Sequence, residues 1–328
     1  MLRGLRLLGA VLPLCVVTST SVFGCSIFMA SVNGEVLFGN NIDDGNPNTY
    51  YEIVPARQPL DYGFITLGFN RPQGGLNEAG LAFDTNAVSP APLRPQPDLP
   101  SHPEGPIGIV TEMLRTAATV EEALDVARSY AWSDELRNQW FFADATGDAV
   151  VISAGVDGEL AFTRKPHGDG YLVSTNINRA REGLIRGCWR YRTIDRMLKA
   201  QVDLGEISIA AFAGILEAAH QEAVFLRESV LLNTVYSNIF DLQTRQITLY
   251  YWFQFDKPLT LALDEELARG PMRVRVSSLF PDTVVQRAKE INEGHLERIE
   301  AWRSFPWRQA AIVLALLGAL AALALLHD

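Results

Sequence analysis

The apolar leader of this chain ends at Val22-Phe23-Gly24 and runs directly into Cys25, which opens a β-hairpin. That junction limits the fold more than any other feature. Cys25 to Val32 is β-rich and alternating, Asn33-Gly34 is a two-residue hairpin turn, and Glu35 to Gly39 returns as a second strand. The residue after Gly24 must therefore sit at the open end of a strand pair. Ahead of it, Arg3 and Arg6 form a basic n-region, Leu7 to Val17 an apolar h-region and Thr18 to Gly24 a small, polar approach to a cut. Cleavage after Gly24 yields a chain that begins with a thiol and a free α-amino group on one residue. A lipoprotein signal would instead place diacylglycerol on the Cys25 sulfur and acylate the amine, but the bulky Phe23 favours the free cysteine.

At the other end, Ala310 to Leu326 is an uninterrupted apolar run of 17 residues, long enough for a helix across the hydrocarbon core of a bilayer. Trp302, Phe305 and Trp307 precede it as an aromatic belt, with Arg303 and Arg308 able to snorkel. The expectation is an exported protein on the periplasmic or extracellular face, held at the membrane by a C-terminal helix.

Without leader and tail, roughly 280 residues remain, enough for a large core. The whole chain has 28 basic and 38 acidic residues; with Arg3 and Arg6 gone, 26 face 38 and the formal charge becomes −12. That balance argues against nucleic acid and against docking on anionic lipid. Cys15 departs with the leader, leaving Cys25 and Cys188, both expected as free thiols. The histidines at 102, 167, 220, 295 and 327 make no pair with metal-ligand spacing. No Gly-x-Ser-x-Gly, phosphate loop or dinucleotide fingerprint is present, so neither metal nor cofactor is expected.

Further strands are expected at Tyr62 to Phe69 and Gly80 to Asp84, with a proline-rich loop from Val88 to Pro106. A helix from Ile107 to Thr116 precedes a capping box, Thr119 through Glu122, that starts a second helix to Tyr130. Trp140 to Ala143, Asp148 to Ala154 and Glu159 to Thr163 form a meander, and Tyr171 to Thr175 a short strand. Gly187 to Lys199 and Ser208 to Ala223 are helical, Asn233 to Leu242 and Gln246 to Phe253 form a late hairpin, and Pro281 to Trp302 has helical composition. Strands in antiparallel runs with helices in grouped pairs indicate α+β layering.

An N-terminal cysteine carries nucleophile and base together, because its amine titrates near 7.7 to 8.0 and its thiol near 8.5. Donors for an oxyanion are then sought among polar residues just past strand ends. Asn40, Asn41 and Asp43 follow the second strand, Asn86 follows Gly80 to Asp84, and Asn176 follows Tyr171 to Thr175. Phe64, Phe69 and Trp140 are candidates for an apolar acyl pocket, although aromatics at strand spacing are more often core.

Taken in order, Cys25-Ser26-Ile27-Phe28, Phe38-Gly39-Asn40-Asn41-Ile42-Asp43, Leu76-Asn77-Glu78-Ala79-Gly80-Leu81 leading to Asn86, Ser174-Thr175-Asn176 and Thr234-Val235-Tyr236-Ser237 resemble the choloylglycine hydrolase family. That family includes bile salt hydrolases and penicillin V acylases, of the N-terminal nucleophile class. The resemblance implies Cys25 as nucleophile, Asp43 at its amine, Asn86 and Asn176 as oxyanion-side donors, and Arg190, in Cys188-Trp189-Arg190-Tyr191, as the late active-site arginine. Gly39-Asn40-Asn41 stands where bile salt hydrolases have Gly-Arg-Asn, so Asn40 and Asn41 become substrate-binding candidates without the early positive charge.

The implied fold class is an α+β, four-layer αββα sandwich, here with a C-terminal transmembrane helix. The implied domains are a signal peptide at 1–24, a hydrolase domain at 25–267, a helical juxtamembrane segment at 268–308 and a transmembrane helix at 309–326. The implied activity is hydrolysis of a small-molecule linear amide through a thioester on Cys25. An acyltransferase of the same fold and a ligand-binding lipoprotein lipidated at Cys25 are the alternatives.

Overall fold

The turn at Asn33-Gly34 forms as its sequence predicts, with φ of 52° and 89° at the two residues, the left-handed pair that a tight hairpin needs. In the computed structural model, which describes residues 25–165, 168–222, 224–226 and 230–304, this turn joins β1 (Ser26–Val32) to β2 (Glu35–Asp44). Then come β3 (Tyr50–Val54), β4 (Phe64–Gly68), β5 (Pro72–Asn77) and β6 (Ala82–Pro92). Helices α1 (Gly105–Thr116) and α2 (Val120–Ser129) follow. Next are β7 (Glu135–Ala143), β8 (Ala149–Ala154), β9 (Leu160–Arg164) and β10 (Gly170–Ser174). After α3 (Glu182–Ile185), α4 (Trp189–Leu204) and α5 (Ile209–Ala219) the chain forms β11 (Val224–Leu226), β12 (Val230–Asp241), β13 (Gln246–Tyr251) and β14 (Leu259–Ala262). It continues through α6 (Leu263–Ala268) and β15 (Met272–Arg275) to α7 (Asp282–Ser304).

Among the described residues the strands make two antiparallel sheets. The first has the order β10-β1-β2-β12-β13-β14 with β11 beside β12, and the second runs β15-β3-β4-β5-β6-β7-β8-β9. Alternation along β2 sends Phe38 and Ile42 into the core between the sheets and Leu37 out beneath the helices. Phe38 meets Phe141 of the opposite sheet edge-on, 5.4 Å between ring centroids, and burying each such ring contributes up to about 3 kcal/mol. On the outer face of the second sheet, Ile109, Met113 and Leu124 of α1 and α2 pack over Phe83 and Phe142. On the outer face of the first, Ile194, Leu198 and Phe212 of α4 and α5 pack over Phe28 and Ile239. The capping box forms, with the Thr119 hydroxyl accepting from Glu122 N and the Glu122 carboxylate accepting from Thr119 N.

The expected fold class is corrected in its membrane element: the structure holds two antiparallel sheets with helices, and among the described residues no helix is long and apolar enough to cross a membrane. The long C-terminal helix, α7, shows why. It buries Val284, Ala288, His295 and Ile299 against the domain, while Arg287, Lys289, Glu290, Glu293, Glu297 and Arg298 face outward, and charges on one whole side fit a water-facing helix. The run Ala310 to Leu326 and the leader at 1–24 lie outside the described residues.

Boundaries also move. Gly74-Gly75, which punctuates the sequence like a turn, lies inside β5. A methyl on Gly74 would run into the Asp84 carboxylate and one on Gly75 into the Ile65 carbonyl, so close strand approach demands the glycines here. Strand β2 continues to Asp44, and β6 to Pro92. Asn40, Asn41, Asp43 and Asn86 are therefore strand residues, not residues beyond strand ends.

Candidate active site

Cys25 lies one residue ahead of β1, in the hydrophobic core between the sheets, and is 9% exposed. The hairpin register, Ser26 opposite Asn41, carries the far end of β2 past it. The thiol sits 3.9 Å from the Asp43 carbonyl oxygen, a weak S–H contact. Two donors from different layers converge on the Cys25 carbonyl: Asn86 Nδ2 of β6 at 3.2 Å and Arg190 Nη1 of α4 at 3.3 Å.

Arg190 ties these parts together. Its Nη1 also donates to Asp43 Oδ2 at 3.2 Å, and its Nη2 donates to Asn176 Oδ1 at 3.1 Å. Its neighbours Arg186, Arg192 and Arg196 are exposed, whereas Arg190 is 7% exposed. The second Asp43 oxygen accepts the Thr234 hydroxyl. Strand β12 shifts register between Thr234 and Tyr236, leaving Thr234 opposite Asp43 and Tyr236 opposite Ile42. Asn86 Oδ1 accepts the Ser174 hydroxyl at 2.6 Å, and Asn176 Nδ2 donates to the Ala87 carbonyl at 2.8 Å. Gln139 supports that corner by donating to Ser174 Oγ at 3.0 Å and to the carbonyls of Thr175 and Ile177 at 2.7 and 3.0 Å.

The electrostatics follow from burial. Desolvation, reinforced by the Asp43 charge, pushes the Cys25 thiol well above its ordinary value, with Arg190 pulling weakly the other way. Burial raises the Asp43 carboxyl to about 7, against the downward pull of Arg190 and of the Thr234 hydroxyl. A thiol in this position is protonated at neutral pH, so attack on a carbonyl requires a proton acceptor in contact with it. Among the described residues no group of three or more His, Cys, Asp or Glu side chains is placed to hold a metal ion.

Of the residues singled out in the sequence, the structure gathers Cys25, Asp43, Asn86, Asn176 and Arg190 into one network. The two substrate-binding candidates separate. Asn41 faces the helices, giving its amide to the Leu216 carbonyl at 2.9 Å and accepting Ser237 Oγ at 2.6 Å, a structural role. Asn40 faces the inter-sheet core and donates to Asp84 Oδ2 at 2.6 Å. Phe64 and Trp140 belong to the core under α1 and α2, away from the inter-sheet core that holds Cys25. Both remaining cysteines are free thiols. Thr234, Ser174 and Gln139 had no assigned role in the sequence, although polar residues interrupting apolar strands at Thr234 and Gln139 were the available signal.

The family described as acyl-coenzyme A:6-aminopenicillanic acid acyl-transferase matches residues 31–251, from within β1 to the end of β13. No curated protein matches the chain. Among solved structures, penicillin V acylase from Agrobacterium tumefaciens superposes with a TM-score of 0.60 at 15% identity, covering 74% of this chain and 87% of that one. A mutant conjugated bile acid hydrolase from Clostridium perfringens gives 0.57 at 14% identity, covering 76% of this chain and 96% of that one. At such identities the likeness is one of fold, and it bears out the resemblance to the choloylglycine hydrolases and penicillin V acylases.

Proposed function

The chain belongs to the acyl-coenzyme A:6-aminopenicillanic acid acyl-transferase family, and from that premise we propose that it is a cysteine amidohydrolase, exported and matured at Cys25, that cleaves a linear non-peptide C–N amide. The observation that carries the proposal is the meeting of Asn86 and Arg190 on the Cys25 carbonyl, with Asp43 on the same arginine. Three separate elements are spent on orienting one residue. The fold relatives, a penicillin V acylase and a conjugated bile acid hydrolase, support amide cleavage as the reaction class.

Removal of the leader turns the Cys25 nitrogen from an amide into an amine titrating near 8. The amine takes the thiol proton and sulfur attacks the amide carbonyl carbon. The resulting oxyanion draws on amide N–H groups of Asn86 and Asn176, each nitrogen having a second hydrogen beyond the bond it already makes. The ammonium then protonates the leaving nitrogen, the C–N bond breaks, and a thioester remains on Cys25. Water, deprotonated by the same amine, releases the acid. Arg190 and Asp43 act as positioning residues that fix the cysteine backbone and the charge near its nitrogen.

The description of the matching family favours a second reading, transfer of the acyl group to an amine acceptor in place of water. Adding an acceptor amine and measuring new amide against free acid separates the two. The hydrolase reading itself is tested with Cys25→Ala and Cys25→Ser: amine release from an acyl amide is lost in both while thermal melting and circular dichroism match wild type. Full turnover in Cys25→Ala would end the proposal, as would diacylglycerol on Cys25 of the mature protein.

A further inference from the structure

Beside Cys25, in the space between the sheets, lies a polar cluster that the steps above do not use. Asn40 stands opposite Ile27 in the hairpin register, and Ile27 shares its strand face with Cys25. Asn238 is the partner of Asn40 across β2 and β12, and Tyr236, two residues earlier, occupies the same face. From the other sheet, Asp84 precedes Asn86 by two residues and so shares its face, about 7 Å along the strand from the side chain that touches Cys25.

Within the cluster, Asn40 Nδ2 donates to Asp84 Oδ2 at 2.6 Å and, at the long distance of 3.5 Å, to Asn238 Oδ1; Thr85 N donates to Asp84 Oδ1 at 2.7 Å. Three polar atoms have no partner among the described residues: Asn40 Oδ1, Asn238 Nδ2 and the Tyr236 hydroxyl. All three residues are fully buried. Buried polar groups are nearly always paired, so three orphans in one cluster point to an occupant. Gly74, opposite Asp84, leaves room for the carboxyl, which a methyl there would displace. Burial, with no cation beside it, holds the Asp84 carboxyl well above the usual carboxylate range and so favours its neutral form.

We propose that Asn40, Asp84, Tyr236 and Asn238 form a subsite for an uncharged hydrogen-bonding group, a hydroxyl or carbonyl, carried on the acyl part of the substrate. The inference rests on the amidohydrolase reading: attack from sulfur keeps the acyl chain on Cys25, and Cys25 packs into the inter-sheet space where the cluster lies. An anionic acyl group would meet a buried carboxyl with no compensating charge. The cluster offers an amide donor, an amide acceptor and a hydroxyl, a balance that suits a neutral group.

The test uses the mature enzyme and a set of acyl 4-nitroanilides: a plain alkyl chain, the same chain with a hydroxyl walked along it, and the same chain with an amine in the best position. The best hydroxyacyl substrate is expected to exceed the alkyl one about tenfold in kcat/KM, the size of one hydrogen bond. That ratio should collapse toward one in Tyr236→Phe and in Asn238→Ala, each checked for folding by its melting temperature. Equal rates for alkyl and all hydroxyacyl chains would mean that the cluster holds a structural water only and would overturn the proposal. Preference for the amine, or a ratio unchanged in both variants, would overturn it as well. If mature wild type cleaves none of the anilides, the amidohydrolase reading fails and takes the subsite with it; cleavage without preference removes the subsite alone.

Discussion

Replacing Arg190 with Met removes a guanidinium whose side chain is 8% exposed from a carboxylate, Asp43, that is fully buried. Two consequences differ in pH dependence. The bonds to the Cys25 carbonyl and to Asn176 Oδ1 are lost at every pH, at a cost of about 2 kcal/mol. The ion pair with Asp43 is lost only where Asp43 is ionised. Its carboxyl, raised to about 7, is mostly protonated at about pH 5.5, so there the first cost stands nearly alone. Above pH 7 the wild-type carboxylate keeps its cation and the variant's does not, and breaking a buried pair costs about 3–5 kcal/mol in total.

The sign follows from linkage. An acid whose folded value lies above its unfolded one loses stability as pH rises between the two values, and removing Arg190 raises the folded value further, so the added loss accumulates above 7. Arg190→Met should therefore be about 2 kcal/mol worse at pH 8.5 than at pH 5.5, measured by urea unfolding with tryptophan fluorescence. Asp43→Asn in the Arg190→Met background should cancel that pH-dependent part. A cost that is equal at both pH values, or that survives Asp43→Asn unchanged, would refute the charge pairing as the reason for the buried arginine.

The other expectations are more local. Gly80→Ala should lower stability by about 1–3 kcal/mol, because φ is 85° there and the added methyl meets the Leu242 carbonyl; an unchanged urea midpoint would contradict it. In Asp84→Asn, the melting temperature should gain on wild type as pH rises above about 4, since burial raises the folded Asp84 above its unfolded value and wild type loses stability as pH passes the unfolded one; parallel pH curves would exclude a raised carboxyl at Asp84.

The hairpin, the capping box and most of the antiparallel strands were legible because their signals are local: Asn33-Gly34 demands a tight turn, and Thr119 with Glu122 closes a helix start within four residues. The continuation of β2 through Asn40, Asn41 and Asp43 was not legible. Polar residues there read as a strand's end, yet each hydrogen-bonds a partner from a distant element: Asp84, Leu216 and Arg190. Gly74-Gly75 stands inside β5 for a related reason, its glycines answering to crowding by Asp84 and the Ile65 carbonyl and not to a turn. For the site, the resemblance to the choloylglycine hydrolases named the members, Arg190 included; that Arg190 is the buried one among Arg186, Arg190, Arg192 and Arg196 depends on which helix face α4 turns toward Asp43. Thr234 stands in a quoted motif, but its bond to Asp43 follows from the register shift of β12, which sets the two residues opposite each other.

The proposed catalysis depends on Cys25 as a free, N-terminal attacking residue. Acid quenching of the mature protein during turnover of an acyl amide, followed by mass analysis of its proteolytic peptides, tests this directly. The predicted result is an acyl mass on the peptide that begins at Cys25, labile to hydroxylamine as a thioester is. An acyl group on any other residue, or an N-terminal peptide that begins elsewhere than Cys25, would contradict it.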